Sequence, residues 1–320
     1  MDQATPRPER MSVGIATIVA TVLAMSFADA VIKYASTDFT LWQIYVLRSL
    51  LVLPVLLAIA LAGRRPLRPG RGTSRWVYLR SLLLALMYVA IYAAIPVLSL
   101  PVIAASLYTG PLFIALFSAL LIGEPVGLQR WAAIAIGFAG VLVILRPAAE
   151  GFSVLALIPI IAALLYALAA IITRAKCAAE TPLTLALTLN LTLLAVGIVA
   201  TAALALWLPV SSGKTAYPFL LGAWAEMGLQ ECGVLGLLAV LMLGISLGLA
   251  KAYQSAPPAV IATFDYSYLL FAAFWSYAIF SQPPDGATIA GMVMIAGAGF
   301  LVVRGSGPST TDHARVKANA

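Results

Sequence analysis

The sequence predicts an all-α integral membrane protein, with ten transmembrane helices arranged as two inverted five-helix repeats. Three observations support this: the apolar composition, an internal repeat and a one-sided distribution of basic residues. Hydrophobic residues make up 62% of the 320 residues, charged residues make up only 10%, and the mean hydropathy is +1.03. A soluble protein carries about 25% charged residues. Lipid is the solvent that tolerates this surplus of apolar surface.

Apolar stretches of about 20 residues recur between short polar breaks, as membrane-spanning helices require. In chain order the predicted spans are 12–34, 39–61, 76–98, 101–122, 127–145, 153–173, 183–208, 233–253, 257–280 and 286–304. The first span contains Ala28-Asp29-Ala30, which resembles a signal-peptide cleavage site. The apolar run before it is longer than the 7–15 residues, roughly, of a signal-peptide core. We therefore expect the first helix to be retained.

One stretch of the chain is repeated. Residues 102–125 align without a gap with residues 260–283, 158 positions later, and nine of the 24 positions are identical. The identical positions include a closing proline and a tyrosine, Tyr108 in the first copy and Tyr266 in the second. Internal repeats of membrane spans are typical of secondary transporters, whose substrate site lies between the two repeats.

The basic residues predict the orientation. With both termini inside, 14 of the 19 basic residues lie on the inner side and only Lys33, Arg146 and Lys214 on the outer side. Cytoplasmic loops are enriched in Lys and Arg, so we expect a multi-pass protein of the cell (inner) membrane with both termini cytoplasmic. Five spans per half is an odd number, so the second half enters the membrane inverted. The predicted domains are an N-terminal tail (1–11), repeat 1 (12–147), repeat 2 (150–304) and a C-terminal tail (305–320).

The net charge of +7 does not indicate nucleic-acid binding, because five arginines cluster in the single loop from Arg64 to Arg75 and no docking motif accompanies them. We expect no cofactor and no metal. The chain lacks the G-x-x-x-x-G-K-[ST] motif of an ATP-driven pump, and its one histidine lies in the C-terminal tail. Cys177 and Cys232 fall on opposite sides of the membrane, so they cannot pair, and they lack the spacing of a metal site.

A family resemblance rests on several motifs. They are Asp29-Ala30-Val31-Ile32-Lys33-Tyr34, Gln43 and Arg48 in the next span, Leu121-Ile122-Gly123-Glu124-Pro125, and Phe264-Asp265-Tyr266-Ser267 with Phe280-Ser281-Gln282-Pro283-Pro284-Asp285. In this order and spacing, over residues 12 to 304, they resemble the EamA family of the drug/metabolite transporter superfamily. The ninth span of that family usually closes with Glu, where this chain has Gln282.

The resemblance implies ten helices, an inverted repeat, a central cavity and transport of a small organic metabolite. Within the superfamily the chain is most similar to the branch of riboflavin, S-adenosylmethionine and organic-anion carriers. Aromatic amino-acid and drug exporters are the alternative. Because Gln282 is the repeat mate of Glu124, a symmetric role for two carboxylates is not implied.

Ionisable residues inside spans are costly, and each is a functional candidate. Asp29 lies about 8 Å of helix rise from the outer end of span one, and Arg48 about 13 Å into span two. Asp29 and Arg48 form either a structural salt bridge or a functional pair. In the functional pair Asp29 takes up a proton or meets a cationic substrate group. Arg48 either tunes Asp29 or binds a substrate carboxylate or phosphate.

Asp265, about 12 Å into span nine, is the second coupling candidate. Lys33 is predicted to be a snorkelling anchor.

Tyrosines in the spans expected to line the cavity are candidate substrate-binding residues. Tyr88 and Tyr92 are four residues apart and share a helix face. Further aromatic residues on the cavity spans are Tyr108, Tyr166, Tyr253, Tyr266, Tyr268 and Trp275. Phenols inside a membrane need hydrogen-bond partners, which a wet cavity supplies, and they can stack on a flat substrate; ordinary packing is the alternative for each. The predicted substrate-binding set is Tyr88, Tyr92, Tyr108, Tyr166, Tyr266 and Arg48. Trp42, near a span end, is predicted to be an interface anchor.

Two kinds of residue bear on motion. Pro111 and Pro159 interrupt spans four and six and permit bends. The glycine pairs Gly137–Gly140 and Gly244–Gly248 allow close helix packing. This packing serves the fold, a homodimer or movement between states, and the sequence does not separate these roles.

We therefore expect a secondary transporter, not an enzyme, that works by alternating access with proton coupling or exchange. Its expected partners are a small-molecule substrate and the lipid bilayer. A channel would show polar or charged rings along a pore, and an intramembrane enzyme would show clustered histidines or paired aspartates. The sequence shows scattered single groups instead.

Overall fold

The computed structural model describes residues 8–64, 68–107, 109–117, 120, 128–145, 154–177, 179–207, 217–255, 264 and 267–304. The described part of the chain is helical and contains no strand. Its helices are α1 (Pro8–Ala35), α2 (Leu41–Ala62), α3 (Ser74–Ala94), α4 (Leu100–Leu107), α5 (Gly110–Phe117), α6 (Leu128–Leu145), α7 (Ile158–Lys176), α8 (Pro182–Trp207), α9 (Pro218–Leu221), α10 (Leu229–Ser255), α11 (Ser267–Phe280) and α12 (Gly286–Arg304). A 3₁₀ turn, Val154–Leu157, precedes α7.

Five segments are long and apolar enough to cross a bilayer: Ser12–Ala35, Leu41–Ala62, Ser74–Ala94, Pro182–Leu206 and Leu229–Gly248. Shorter apolar segments include Ile158–Thr173, Ser267–Phe280 and Gly286–Ala298. These helices fall on predicted spans, so the prediction of an all-α, multi-pass membrane protein is confirmed.

Local signals explain where several helices begin. The Thr40 hydroxyl accepts a hydrogen bond from the Gln43 amide at 3.3 Å and caps α2. Thr181 plays the same part before α8, accepting from the Thr184 amide at 3.1 Å. Asp285 accepts from the Thr288 amide at 2.8 Å and caps α12. Such caps satisfy amides that have no partner within the helix.

The fourth predicted span, 101–122, is not one continuous helix over its described residues. α4 ends at Leu107 and α5 begins at Gly110. Pro111 has no amide hydrogen to continue the helical ladder across this point, and Thr109 turns back to donate to the Ser106 carbonyl at 2.6 Å. Pro159, by contrast, stands in the first turn of α7, where proline is well tolerated.

Helices from both halves of the chain pack together. α1 packs against α10 and α11, α2 against α8 and α10, α3 against α7 and α8, and α6 against α12. Glycines permit two of the close approaches. A Cβ on Gly140 would lie 3.0 Å from the Gly291 carbonyl oxygen, and a Cβ on Gly248 would overlap the Thr21 side chain. These two glycines therefore serve packing within the chain.

Candidate functional site

Two predicted intramembrane charges and two predicted tyrosines come together where α1, α2, α3 and α11 meet. Asp29 lies on α1, Arg48 on α2, and Tyr88 and Tyr92 on α3. α11 contributes Tyr268, which is 4% exposed. We call these five residues the central cluster.

The Asp29 carboxylate is half-buried and accepts a short hydrogen bond from the Tyr268 hydroxyl. The two residues are 239 positions apart, so the bond joins the first half of the chain to the second. The sequence places Tyr268 among the aromatic residues of the cavity spans, but the predicted site residue there is Tyr266. No local spacing relates Tyr268 to Asp29, and only the packing of α1 on α11 brings them together.

Arg48 is 2% exposed and is the largest of the fully buried side chains. Its Nε and Nη2 atoms are buried and have no hydrogen-bond partner, and its guanidinium carbon lies 5.6 Å from the centre of the Tyr45 ring. Asp29 and Arg48 influence each other electrostatically but share no ion pair within 4 Å. The contact made by Asp29 is therefore with Tyr268, not with Arg48.

Aromatic rings line the cluster beside Arg48. Tyr88 and Tyr92 stack with their ring centres 5.8 Å apart and their planes at 25°, as the spacing of four residues predicted. Tyr45 extends the row, with its ring centre 6.1 Å from that of Tyr92. Tyr45 is fully buried and its hydroxyl has no partner. Tyr45 is absent from the predicted set, although its position three residues before Arg48 places both on one helix face.

The other predicted site residues lie elsewhere. Tyr166 is half-buried on α7, and its Cδ1 atom would lie 3.2 Å from a Cβ on Gly110, so it packs at the junction of α7 with α5. Tyr108, Tyr266 and Asp265 lie outside the described residues.

Lys33 fastens the end of α1 to the end of α3. Its Nζ atom donates to the Ile95 carbonyl at 2.9 Å and to the Leu98 carbonyl at 2.6 Å. The same ammonium lies 5.4 Å from the centre of the Phe280 ring. Lys33 is half-buried. Its ammonium group therefore donates hydrogen bonds to carbonyls that have no partner within the helix, in addition to any contact with water.

Two polar contacts between the halves mark the two ends of α2. At its start, Gln43 donates from Nε2 to the Ala225 carbonyl at 3.0 Å and accepts from the Ala225 amide at 3.1 Å. Trp42 there donates from Nε1 to the Leu220 carbonyl at 2.7 Å. Beyond its far end, Glu180 accepts from the Gly70 amide at 2.9 Å and from the Thr73 hydroxyl. We call these the Gln43 contact and the Glu180 contact.

Arg80 shows how a partnered intramembrane arginine is held. Its Nε atom donates to the Thr173 hydroxyl at 3.1 Å and its Nη1 atom to the Leu185 carbonyl at 3.3 Å. It therefore ties α3 to α7 and α8.

Among the described residues no group of three His, Cys, Asp or Glu side chains is placed to hold a metal ion. Both cysteines are free, with Cys177 buried and Cys232 exposed.

The fold and the central cluster define a polytopic membrane protein that holds ionisable groups inside its helical bundle. A model of the EamA-like transporter family matches residues 12–146. The chain is 31% identical to a riboflavin transporter of Rhizobium johnstonii, over 93% of each chain. It therefore belongs to the EamA-like transporter family, within the drug/metabolite transporter superfamily, and is a membrane transporter.

More distant comparisons agree. An S-adenosylmethionine uptake transporter of Rickettsia bellii is 26% identical, with 91% of this chain and 94% of that protein covered. One crystal structure shares the fold with a TM-score of 0.60, at 17% identity, over 94% of this chain and 100% of the other. The family and the relatives are named as transporters rather than enzymes.

Proposed function

We propose that the protein is a secondary transporter that moves a small organic metabolite by alternating access, driven by protons or by exchange. Ten transmembrane helices form two inverted repeats, 12–147 and 150–304, with both termini on the cytoplasmic side of the inner membrane. The substrate site lies between the repeats.

The pairing of helices supports the inverted repeat. Exchanging the halves replaces α1 by α7, α2 by α8, α3 by α10, α5 by α11 and α6 by α12. The packing of α1 on α10 then becomes that of α7 on α3, and the packing of α3 on α8 becomes that of α10 on α2; all four pairs occur. The α2–α8 and α6–α12 pairs map onto themselves. A pseudo-two-fold axis produces this pattern, and with five spans per repeat that axis would lie in the membrane plane.

The substrate class follows from the relatives and the rings. Relatives named for riboflavin and S-adenosylmethionine favour a solute with a flat heterocycle or an organic anion. The stacked Tyr88 and Tyr92 suit such a solute. The same rings keep an aromatic amino-acid or drug exporter as the alternative. The substrate-binding set is Arg48 with Tyr88, Tyr92, Tyr108, Tyr166 and Tyr266.

A single observation carries the coupling proposal: the half-buried Asp29 carboxylate is held by Tyr268 from the other half of the chain. Protonation of Asp29 removes the charge that this hydrogen bond stabilises, and the hold of α1 on α11 weakens. A proton is thereby linked to the relative position of the two halves. Asp265 is the second coupling residue.

The test is uptake by proteoliposomes. Riboflavin, S-adenosylmethionine, dicarboxylates and amino acids are offered with and without a pH gradient. We expect one class to accumulate, and expect Asp29→Asn or Asp265→Asn to abolish gradient-driven uptake while the protein remains folded. Wild-type rates in both variants would refute the coupling assignment. Tyr88→Ala and Tyr92→Ala should weaken substrate affinity, and unchanged affinity in both would move the site elsewhere.

Membrane orientation has its own test. Single cysteines near residue 5 and residue 315, in a background without Cys177 and Cys232, are treated with a membrane-impermeant thiol reagent in intact cells and in inverted vesicles. We expect both to react only in inverted vesicles. Labelling of the two ends from opposite sides would exclude an even number of spans.

A further inference from the structure

We propose that Arg48 binds an anionic group of the transported solute, a carboxylate or a phosphate, through the Nε and Nη2 edge of its guanidinium. This rests on the transport function proposed above and narrows its substrate to flat organic anions.

The Arg48 guanidinium carries a buried charge with vacant hydrogen-bond donors. Moving an ion out of water costs several kcal/mol, and the cost is recovered only through good partners. Arg48 is 2% exposed, yet two of its three nitrogens have no hydrogen-bond partner. Arg80, the comparable arginine on α3, has partners for both Nε and Nη1. The described residues thus leave two donors of a permanent positive charge vacant, and an anionic ligand would fill them.

Among the residues that the structure describes, no group supplies that anion to the vacant donors of Arg48. Asp29 is engaged by Tyr268 and makes no ion pair with Arg48. Tyr92 forms a side-chain hydrogen bond with Arg48, and besides Asp29 the charged group that acts on Tyr88 is the cation of Arg80, so neither supplies a negative charge. The Tyr45 ring lies 5.6 Å from the guanidinium carbon. A ring attracts a cation through its face, and the guanidinium donors lie in the guanidinium plane. The ring therefore does not use the donors of Nε and Nη2.

The vacant Nε and Nη2 edge of the Arg48 guanidinium has a shape that suits an oxyanion. The N–H bonds of Nε and Nη2 run nearly parallel on one side of the guanidinium. This is the fork that binds a carboxylate or a phosphate with two hydrogen bonds, and such charge-assisted pairs are about twice as strong as neutral ones. A single neutral carbonyl uses only part of this edge. The vacant edge therefore selects for an oxyanion.

The tyrosines beside Arg48 suit a ligand that carries both a flat ring and an anionic group. The Tyr45 hydroxyl is buried without a partner, so it offers one more hydrogen bond to the bound group. The stacked pair Tyr88 and Tyr92 continues the row of rings that begins at Tyr45. A solute with a flat ring and an attached oxyanion matches the rings and the charge together.

The experiment compares benzoate with benzamide, which has the same ring and nearly the same shape but no charge. Thermal unfolding of the purified full chain in detergent is followed against probe concentration. We expect benzoate to raise Tm in the wild type and benzamide not to. Arg48→Gln should raise the apparent dissociation constant for benzoate, obtained from the concentration dependence of Tm, roughly 10- to 100-fold. This is the change expected for the loss of two charge-assisted hydrogen bonds. Arg48→Lys should keep part of it, because a lysine offers the charge without the fork.

Arg80→Gln is the matched control and should respond to benzoate as the wild type does. Equal effects of benzoate and benzamide on the wild type would overturn the proposal even if Arg48→Gln does not fold. A full benzoate response in Arg48→Gln would overturn it as well.

The two proposals fail separately. A protein that prefers benzoate through Arg48 but takes up no organic solute would overturn the transport function and leave the anion site in place. A protein that accumulates riboflavin but shows no preference for benzoate would overturn the anion site and leave the transport function.

Discussion

The Gln43 contact and the Glu180 contact hold the two halves together at opposite ends of α2. The helix has 22 residues, about 33 Å of rise, so they mark the outer and inner faces in the proposed orientation. The two contacts have the same arrangement relative to α2 and α8. The start of α2 holds the segment after α8, and the residue just before α8 holds the segment after α2. Exchanging the two halves interchanges the contacts.

The contacts differ in chemistry. Gln43 is neutral and 1% exposed, and its amide makes two reciprocal hydrogen bonds with Ala225. Glu180 is half-buried and carries a charge, and its partner Gly70 is exposed. Water competes for an exposed charged contact and salt screens it, whereas a buried, fully satisfied amide is costly to separate. The inner face should therefore open more easily than the outer face.

The largest expected effect comes from preventing either contact from opening. Gln43→Cys with Ala225→Cys, and separately Gly70→Cys with Glu180→Cys, are made in a background of Cys177→Ala and Cys232→Ser. Joining either pair with a cleavable bifunctional thiol reagent should abolish transport, because each face must open once per cycle. Proteoliposome uptake before and after reductive cleavage measures the effect.

The control for this experiment is each single-cysteine variant treated with the same reagent, which should transport normally. Uptake at the wild-type rate by fully cross-linked protein would show that the face concerned does not open. If cross-linking abolished transport at only one face, that face would be the single gate, and the Gln43 and Glu180 contacts would not have equivalent roles.

Gln43→Ala tests the stronger contact and should lower the free energy of unfolding by about 1–3 kcal/mol. The reason is that the substitution leaves the Ala225 amide and carbonyl without partners. Equilibrium unfolding of the purified protein measures it. Gln230→Ala, an exposed glutamine on α10, is the control and should change stability by less than about 0.5 kcal/mol. Equal stabilities for both variants would mean that the Gln43 contact contributes nothing.

Sequence reasoning succeeded where a residue type is informative by itself. Charged residues are rare in lipid, so the sequence alone selects Asp29 and Arg48 as candidates, and the structure describes both inside the helical bundle; their roles stay a prediction. The shared helix face of Tyr88 and Tyr92 came from their spacing. The helical membrane class came from the repeated apolar segments, and the break before Pro111 from its missing amide hydrogen.

Sequence reasoning stopped at contacts between distant segments. Trp42 is predicted to be an interface anchor, and the structure adds a hydrogen bond to a carbonyl 178 residues away that the sequence does not predict. Lys33 is predicted to be a snorkelling anchor, and the structure adds its bonds to two carbonyls at the end of α3. Tyr268 has no neighbour in the sequence that would single it out as the partner of Asp29. These pairings depend on which helices pack together, which hydropathy alone does not specify.

Glu180→Gln should give the smallest effect, a loss of less than about 1 kcal/mol of stability. An uncharged amide oxygen can still accept from the Gly70 amide and the Thr73 hydroxyl, so only the charge-assisted part of each bond is lost. The diagnostic measurement is the salt dependence. Raising the ionic strength from low to about 1 M should reduce the stability difference between wild type and Glu180→Gln, because the Debye length falls to about 3 Å.

Glu226→Gln, an exposed carboxylate on the opposite face, is the matched control and should show no such salt-dependent difference. If Glu180→Gln lost as much stability as Gln43→Ala at every salt concentration, the two contacts would be equally strong. The expectation that the inner face opens first would then have no physical basis, because it depends on the contrast between a screened charge and a buried amide.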